Sequence, residues 1–334
     1  MGRLQVIRFG ILGAGRIGKV HAATIAAAPR ASVAMVADAL PEAAAALAES
    51  VGARVGSVSE IIASPEIDAI LIATPTDTHA DLIEQAARAG KPILCEKPVS
   101  LSVERIEGCL AVVEQAGVPL MIGFNRRFDP NFQALQSRLA AGEIGAVELV
   151  TIISRDPAPP PVSYIERSGG IFRDMMIHDF DMARFLVGEE FVIVHALGSA
   201  LVDKGIGAAG DVDTASVQMQ TASGRIAIIT NSRRASYGYD QRIEVHGSGG
   251  MLRAGNVHMT TLERADGAGF TQDVIQNFFI DRYVAAYAAE VNTFIAAIEH
   301  GTAPTPSGRD GLMAQRLAEA ATESRRTGEA IRLS

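Results

Sequence analysis

Phe9-Gly10-Ile11-Leu12-Gly13-Ala14-Gly15-Arg16-Ile17-Gly18 decides the fold: an apolar run breaks into glycines at GxGxxG spacing and resumes as a helical pattern. The segment predicts a buried strand, a tight turn and the start of a helix. The first glycine makes the turn, the second lets backbone approach a pyrophosphate, and the third allows close helix-to-strand packing. The helix that follows directs its unpaired N–H groups and positive dipole end at the phosphates. Such a turn alone is a weak signal, because any tight βα connection uses one. Context strengthens it: a second predicted strand ends at Asp38, twenty residues beyond Gly18, where a carboxylate can accept hydrogen bonds from the adenosine ribose hydroxyls. Asp38 also repels a 2′-phosphate, and Ala39 rather than an arginine follows it, so NAD is expected over NADP, with Arg16 the exception nearby. Gly13, Ala14, Gly15, Arg16, Ile17 and Asp38 are thus the expected cofactor contacts of these first two strands.

Outward from the turn, short apolar β-rich runs alternate with helical patterns across the first 124 residues. Strands are expected at 7 to 13, 32 to 38, 68 to 74, 92 to 96 and 119 to 123. Helices are expected at Ile17 to Ala28, Pro41 to Ser50, Thr78 to Ala89 and Ser102 to Ala116, with Gly90 and Gly117 as terminators. This alternation predicts a parallel sheet covered on both faces. After Phe124 the pattern changes: a helix from Pro130, a strand near 146 to 154, the loop Pro157-Ala158-Pro159-Pro160-Pro161, and a helix from about Ile171 to Leu186. Strands then follow at 191 to 201, 214 to 220, 225 to 232 and 242 to 246, weaker ones near 251 and 257, and helices at 281 to 299 and 309 to 325. Gly247-Ser248-Gly249-Gly250 joins two of these strands and opens no helix, so it reads as a turn. The fold class is α/β: a dinucleotide-binding domain over 1–124, then an α+β domain over 125–334 with a large, mostly antiparallel open sheet.

Bulk properties narrow the partners. At 334 residues, 48% hydrophobic, the chain can bury a substantial core. A formal charge of −8 and no long Lys/Arg run argue against a nucleic-acid or anionic-membrane surface and favour a small soluble ligand. Met1-Gly2-Arg3-Leu4 runs almost directly into the first strand, leaving no room for a secretory signal, so a cytoplasmic protein is expected. Cys95 and Cys109 are the only cysteines and read as small buried hydrophobes.

Two clusters carry the chemistry. Ile93-Leu94-Cys95-Glu96-Lys97-Pro98 reads as a buried strand running into a lysine at the carboxyl edge of the sheet, where open α/β folds bind ligands. The same edge receives Thr74, Pro75, Thr76 and His79, expected beside the cofactor ribose; Thr76 or Asp77 alternatively only caps the next helix. The second cluster is Gly169-Gly170-Ile171-Phe172-Arg173-Asp174-Met175-Met176-Ile177-His178-Asp179-Phe180-Asp181. On a helix Asp174 and His178, four apart, share a face, so the carboxylate can orient the histidine as a general base. A surface ion pair or a capping cluster is the alternative. No second ligand cluster accompanies His178, Asp179 and Asp181, so no metal is expected.

The glycine-rich turn, Glu96-Lys97-Pro98 and the Gly169-Gly170 to His178 segment together resemble the glucose-fructose oxidoreductase/inositol dehydrogenase/rhizopine catabolism family over nearly the whole chain. The resemblance implies a Rossmann domain followed by an open-sheet domain supplying substrate contacts and the oligomer interface, usually of a tetramer. Its closest likeness is to the bacterial inositol dehydrogenases, which implies NAD-dependent oxidation of a cyclic polyol, with myo-inositol to its 2-keto form expected. Another inositol isomer, a hexose, or a non-catalytic NAD-binding regulator are the alternatives. Carried over by position, Lys97 hydrogen-bonds the reacting hydroxyl, His178 accepts its proton, Asp174 polarises His178, and Glu96 contacts the cofactor. Arg127, in Asn125-Arg126-Arg127-Phe128, together with Asp156, Asp181 and Tyr237, are the further expected polyol contacts; Arg127 alternatively forms an ion pair and Tyr237 packs on its loop. The family's strand before the proline loop often continues as Arg-Asn-Pro; here it reads Arg155-Asp156-Pro157, which leaves the stereoisomer open.

Overall fold

The structure, a computed structural model, describes residues 6–333, so Met1-Gly2-Arg3-Leu4, on which the cytoplasmic expectation rests, lies outside the described residues. In chain order it begins with β1 (Ile7–Leu12), α1 (Arg16–Ala27), β2 (Ala31–Ala37), α2 (Pro41–Val51), β3 (Arg54–Val55) and α3 (Val58–Ala63). β4 (Ala69–Ile72), α4 (His79–Arg88), β5 (Ile93–Cys95), α5 (Val103–Ala116) and β6 (Leu120–Ile122) follow. Next come α6 (Pro130–Ala140), β7 (Val147–Arg155), α7 (Val162–Ser168), α8 (Gly170–Asp174), α9 (Ile177–Val187), β8 (Phe191–Ser199), α10 (Lys204–Ala208), β9 (Thr214–Thr221) and β10 (Ile226–Ser232). β11 (Asp240–Gly247), β12 (Gly250–Ala254), β13 (Glu263–Asp266), β14 (Gly269–Gln272), α11 (Phe279–Arg282), α12 (Val284–His300), α13 (Gly308–Thr327) and β15 (Ile331–Arg332) complete it.

The chain divides into two compact units: one runs through Phe128 and includes Ala285–Gln315, the other is Asp129–Val284 with Arg316 onward. The expected division at 124/125 therefore needs correction, because most of α12 and the start of α13 belong with the first unit. Packing explains this. Phe294 of α12 lies 6.1 Å, ring to ring, from Phe9 of β1, and Tyr287 meets His21 of α1 edge-on at 5.3 Å.

In the first unit six strands lie in the order β3-β2-β1-β4-β5-β6, all parallel. This is the doubly wound arrangement, whose strand order reverses between β1 and β4 and leaves a crevice at the strands' carboxyl ends. β4 and β5 are buried at every position, as strands covered on both faces must be.

The second unit's sheet has the order β12-β11-β7-β10-β9-β8-β15. Every pairing is antiparallel except β7 with β10. That parallel pair requires a long crossover, and α7 to β9 supply it. The turn read at Gly247 to Gly250 joins β11 to β12. The weak strand expected near 257 is instead a single bridge between His258 and Ile275, beside the separate hairpin of β13 and β14. Among the described residues, no helix is long and apolar enough to cross a membrane.

Candidate functional site

In the first unit, loops leave the carboxyl ends of β1, β2, β4 and β5 and carry Gly13–Gly18, Asp38, Thr74–Pro75 and Glu96–Lys97. The glycines divide their roles as the spacing predicts. Gly13 has φ +107°, and a side chain there would strike the Ala73 carbonyl; one at Gly18 would strike the Gly13 carbonyl. Gly15 differs, since a Cβ there meets nothing within 4 Å, and it caps α1 without a side-chain hydrogen bond to the helix N–H groups. Open space over bare N–H groups suits a pyrophosphate. Asp38 is fixed by the same turn: Oδ2 accepts the Ala14 N–H at 2.6 Å and Oδ1 the Leu40 N–H at 2.8 Å. Each oxygen retains a second lone pair for a ribose hydroxyl. The residues present therefore fit a nicotinamide dinucleotide.

Thr74 is half-buried and Pro75 exposed, and the Thr74 and Thr78 hydroxyls share a 2.6 Å hydrogen bond that steadies the turn through Thr76. His79 does not join them at the surface. It is 1% exposed, with Nδ1 2.8 Å from the Pro98 carbonyl and Nε2 2.8 Å from the Thr74 carbonyl, so it braces the loops from beneath instead of touching cofactor. Glu96 likewise turns inward: Oε1 lies 2.7 Å from His21 Nε2, and Oε2 accepts the Lys97 N–H at 3.3 Å. Gly123 makes room for it, as a Cβ there would press on the Glu96 carboxyl at 3.2 Å. The carboxylate of Glu96, expected as a cofactor contact, is thus anchored inward. Lys97 itself is half-buried at the end of β5. Arg127 donates from Nη2 to Asp310 Oδ1 at 2.8 Å and is buried, which matches the ion-pair alternative and not an open substrate contact.

Cys95 and Cys109 are both fully buried. Burial raises the Cys95 thiol well above its ordinary range and lifts that of Cys109 to about 12. Neither is a nucleophile at neutral pH. Near Glu96 lies an acid that no local pattern marks as a core residue: Glu290 of α12 is fully buried, with no hydrogen-bond partner for either carboxyl oxygen among the described residues. Burial, and then the charge of Glu96, pushes its carboxyl well above the ordinary range and favours its neutral form. A raised folded-state value contributes stability that is full below the unfolded carboxyl's titration and is lost as pH rises toward the folded one, at about 1.4 kcal/mol per pH unit. Glu290→Gln keeps the shape and carries no such proton. Its melting temperature should match that of the parent near pH 4.5 and exceed it increasingly toward pH 8; parallel pH profiles would refute a buried neutral acid.

In the second unit the expected single helix through Asp174 and His178 is interrupted. α8 ends at Asp174 and α9 begins at Ile177, and the Met176 N–H reaches back five residues to the Ile171 carbonyl at 2.8 Å. Such a wide turn rotates the register, so the simple four-residue face does not apply. Asp174 accepts from the Tyr164 hydroxyl at 2.9 Å and lies 3.5 Å from Arg233 Nη2, and His178 is half-buried. Directly after His178, Asp179 is fully buried and accepts from Ser154 at 2.6 Å and Asn231 at 2.8 Å, pinning the start of α9 to the sheet. Asp211 accepts the Ile171 N–H at 3.1 Å and fixes the start of α8. Tyr164, Asp211 and Arg233 lie outside the motif and bear no pattern of their own, and sequence reasoning missed them; Asp179 was read only beside His178 and Asp181, not as the anchor of α9.

Asp156 is half-buried just beyond β7, its N–H bound to the Ser232 carbonyl at 3.0 Å. Asp181 is fully buried with Arg184 Nη1 at 3.8 Å, so it is corrected from a polyol contact to a core ion pair. Tyr237 is exposed and donates to Asp240 at 2.7 Å while accepting from Arg155 at 2.9 Å, which is the loop-packing alternative. Burial works to raise the Asp240 carboxyl, but hydrogen bonds from Arg242, Tyr237 and Asn256 hold it below its ordinary value.

Comparison with known proteins identifies the family. The family model described as "Oxidoreductase family, NAD-binding Rossmann fold" matches residues 7–124, and that described as "GFO/IDH/MocA C-terminal domain" matches 132–253. The chain is 58% identical over 320 residues to the inositol 2-dehydrogenase of Rhizobium meliloti (strain 1021), covering 96% of this chain and 97% of that one. The crystal structure of a myo-inositol dehydrogenase from Corynebacterium glutamicum superposes with a TM-score of 0.95 at 46% identity, covering 98% of this chain and 99% of that one. A scyllo-inositol dehydrogenase from Lactobacillus casei, solved with bound NAD(H) and scyllo-inositol, superposes at 0.92 with 29% identity, covering 98% and 99%. The chain belongs to the GFO/IDH/MocA family of NAD-binding oxidoreductases.

Proposed function

We propose that this oxidoreductase oxidises myo-inositol to its 2-keto form with NAD. The observation that carries the reading is the near-full-length 58% identity to an inositol 2-dehydrogenase in a chain with Lys97 at the carboxyl end of β5. The Gly13–Gly18 turn and Asp38 hold the dinucleotide, and Asp38 disfavours a 2′-phosphate. Bound NAD supplies the hydride acceptor, at C4 of its nicotinamide. His178 accepts the proton of the reacting hydroxyl, Asp174 orients it, and the Lys97 ammonium stabilises the negative charge that develops on oxygen. Asp156 supplies a carboxylate acceptor suited to a neutral, hydroxyl-rich ring.

Oxidation of scyllo-inositol is the second reading, favoured by the Lactobacillus casei structure that contains that ligand. Isomers differ in which hydroxyl is axial, so discrimination rests on hydrogen bonds left unpaired in the wrong isomer. The enzyme works as a cytoplasmic homotetramer in this reading; Leu197 on β8, Ile226 on β10 and Met251 on β12 are exposed apolar side chains of the second sheet, consistent with covered strands in an assembly. The test is NADH formation at 340 nm against inositol isomers and hexoses, each with NAD and NADP. Fastest turnover of myo-inositol with NAD is expected. Activity confined to hexoses or to another isomer would move the substrate, and silence with NAD binding intact would leave only a regulator.

A further inference from the structure

Glu96, Lys97 and Pro98 are held from beneath on both sides by buried histidines. His21, midway along α1 and fully buried, sets Nε2 2.7 Å from Glu96 Oε1, and the other Glu96 oxygen accepts the Lys97 backbone N–H. His79, at the first turn of α4, sets Nδ1 2.8 Å from the Pro98 carbonyl and Nε2 2.8 Å from the Thr74 carbonyl. α1 is the helix whose N-terminus faces the pyrophosphate position, and Thr74 opens the loop beside the ribose. Each histidine therefore joins a cofactor-bearing element to a residue adjacent to Lys97. A phenyl ring would fill either space without the desolvation cost of a buried polar ring, so the connection through nitrogen is what imidazole adds. Burial pushes the His79 imidazole below its ordinary value while the two carbonyls and Glu96 favour its proton and Lys97 opposes it. The neutral ring carries a single N–H, so it donates to one of the two carbonyls, and the Nδ1–H tautomer is the one that joins the start of α4 to Pro98.

We propose that His21 and His79 are positioning residues for Lys97, tying it at the preceding and following residues to the two elements that seat the cofactor. The proposal rests on the reading of Lys97 as a catalytic residue. Its consequence is that the ammonium is aimed from the same elements that seat the cofactor. Neither histidine touches the reacting atoms.

The test uses the full chain and two pairs of variants. An asparagine amide nitrogen stands about where Nδ1 does, and a glutamine amide nitrogen about where Nε2 does. His79→Asn therefore keeps the link to Pro98 and His79→Gln loses it, whereas His21→Gln keeps the link to Glu96 and His21→Asn loses it. The expected pattern crosses: kcat falls about tenfold or more in H79Q and H21N and stays within about threefold of the parent in H79N and H21Q, as small misplacements of a catalytic group cost rate steeply. KM for NAD in H79Q should remain near the parent value. In any variant that is unstable, the deuterium isotope effect on kcat, with polyol deuterated at the reacting carbon, is read on the folded fraction and should rise when Lys97 is displaced. Equal effects within each pair, a reversed order, no loss at all, or an unchanged isotope effect would overturn the proposal. Lys97→Ala run alongside separates the failures: if K97A still turns over, the role of Lys97 itself fails, and if K97A is dead while the four histidine variants are alike, only the positioning role fails.

Discussion

Lys97→Ala should lower kcat by about a thousandfold or more while NAD binding stays within about threefold of the parent, the former figure being that of a lost charge aimed at a developing oxyanion. The two halves of the expectation come from different parts of the first unit. In the proposed function binding rests on the Gly13–Gly18 turn, the uncapped start of α1 and Asp38, whose carboxylate is anchored by Ala14 and Leu40. None of these needs the lysine side chain. Turnover in the proposed function needs an ammonium held where charge appears on the substrate oxygen, and the backbone at Lys97 is fixed by Glu96. Calorimetric titration of NAD together with steady-state kinetics on the preferred polyol checks both. Turnover near the parent rate would sink the catalytic role, and loss of NAD binding in step with turnover would make Lys97 a structural residue of the cofactor site. Lys97→Arg should rescue little, because a planar guanidinium does not reproduce a compact point charge.

The cofactor half of this site was legible because backbone demands dictate sequence there. Only glycine satisfies the positive φ at Gly13 and the close approach at Gly18, and a carboxylate at the end of the second strand has a fixed distance from them in the chain. The strand alternation was legible for a similar reason, since strands buried on both faces must be apolar throughout. Side-chain direction was not. Glu96 and His79 sit at the expected edge of the sheet, yet both turn into the core, and nothing in the local pattern distinguishes inward from outward at a loop. Glu290 was invisible for a stronger reason: a glutamate in an alanine-rich helix reads as a solvated face, and only the return of α12 to the first unit makes it a core residue. Helical periodicity reports that a face is buried and not against what. The break at Met175–Met176 carries neither glycine nor proline, so the wide turn that separates Asp174 from His178 arises from tertiary anchors, Asp211 on one side and Asp179 on the other.

His178→Ala should reduce kcat by about a hundredfold to ten-thousandfold with little change in KM for the polyol, the range of a lost general base. The argument turns on where the histidine stands. α9 is pinned at its first turn by the neighbouring Asp179, whose carboxylate is bound by Ser154 of β7 and Asn231 of β10, both buried. Removing the half-buried imidazole leaves those anchors intact, so the helix and its start should persist and the melting temperature should stay within a few degrees of the parent, about what loss of 1 kcal/mol produces in a domain of this size. A general base acts only as the proton moves, and its loss should therefore appear in kcat and kcat/KM together. Thermal denaturation beside steady-state kinetics makes the comparison. If activity falls only in proportion to the folded fraction, His178 is a packing residue and the proton acceptor lies elsewhere. If kcat collapses in a protein that melts like the parent, the base is His178, and the carboxylate of Asp174, held by Tyr164 and Arg233, is the next group whose removal should slow the proton's departure.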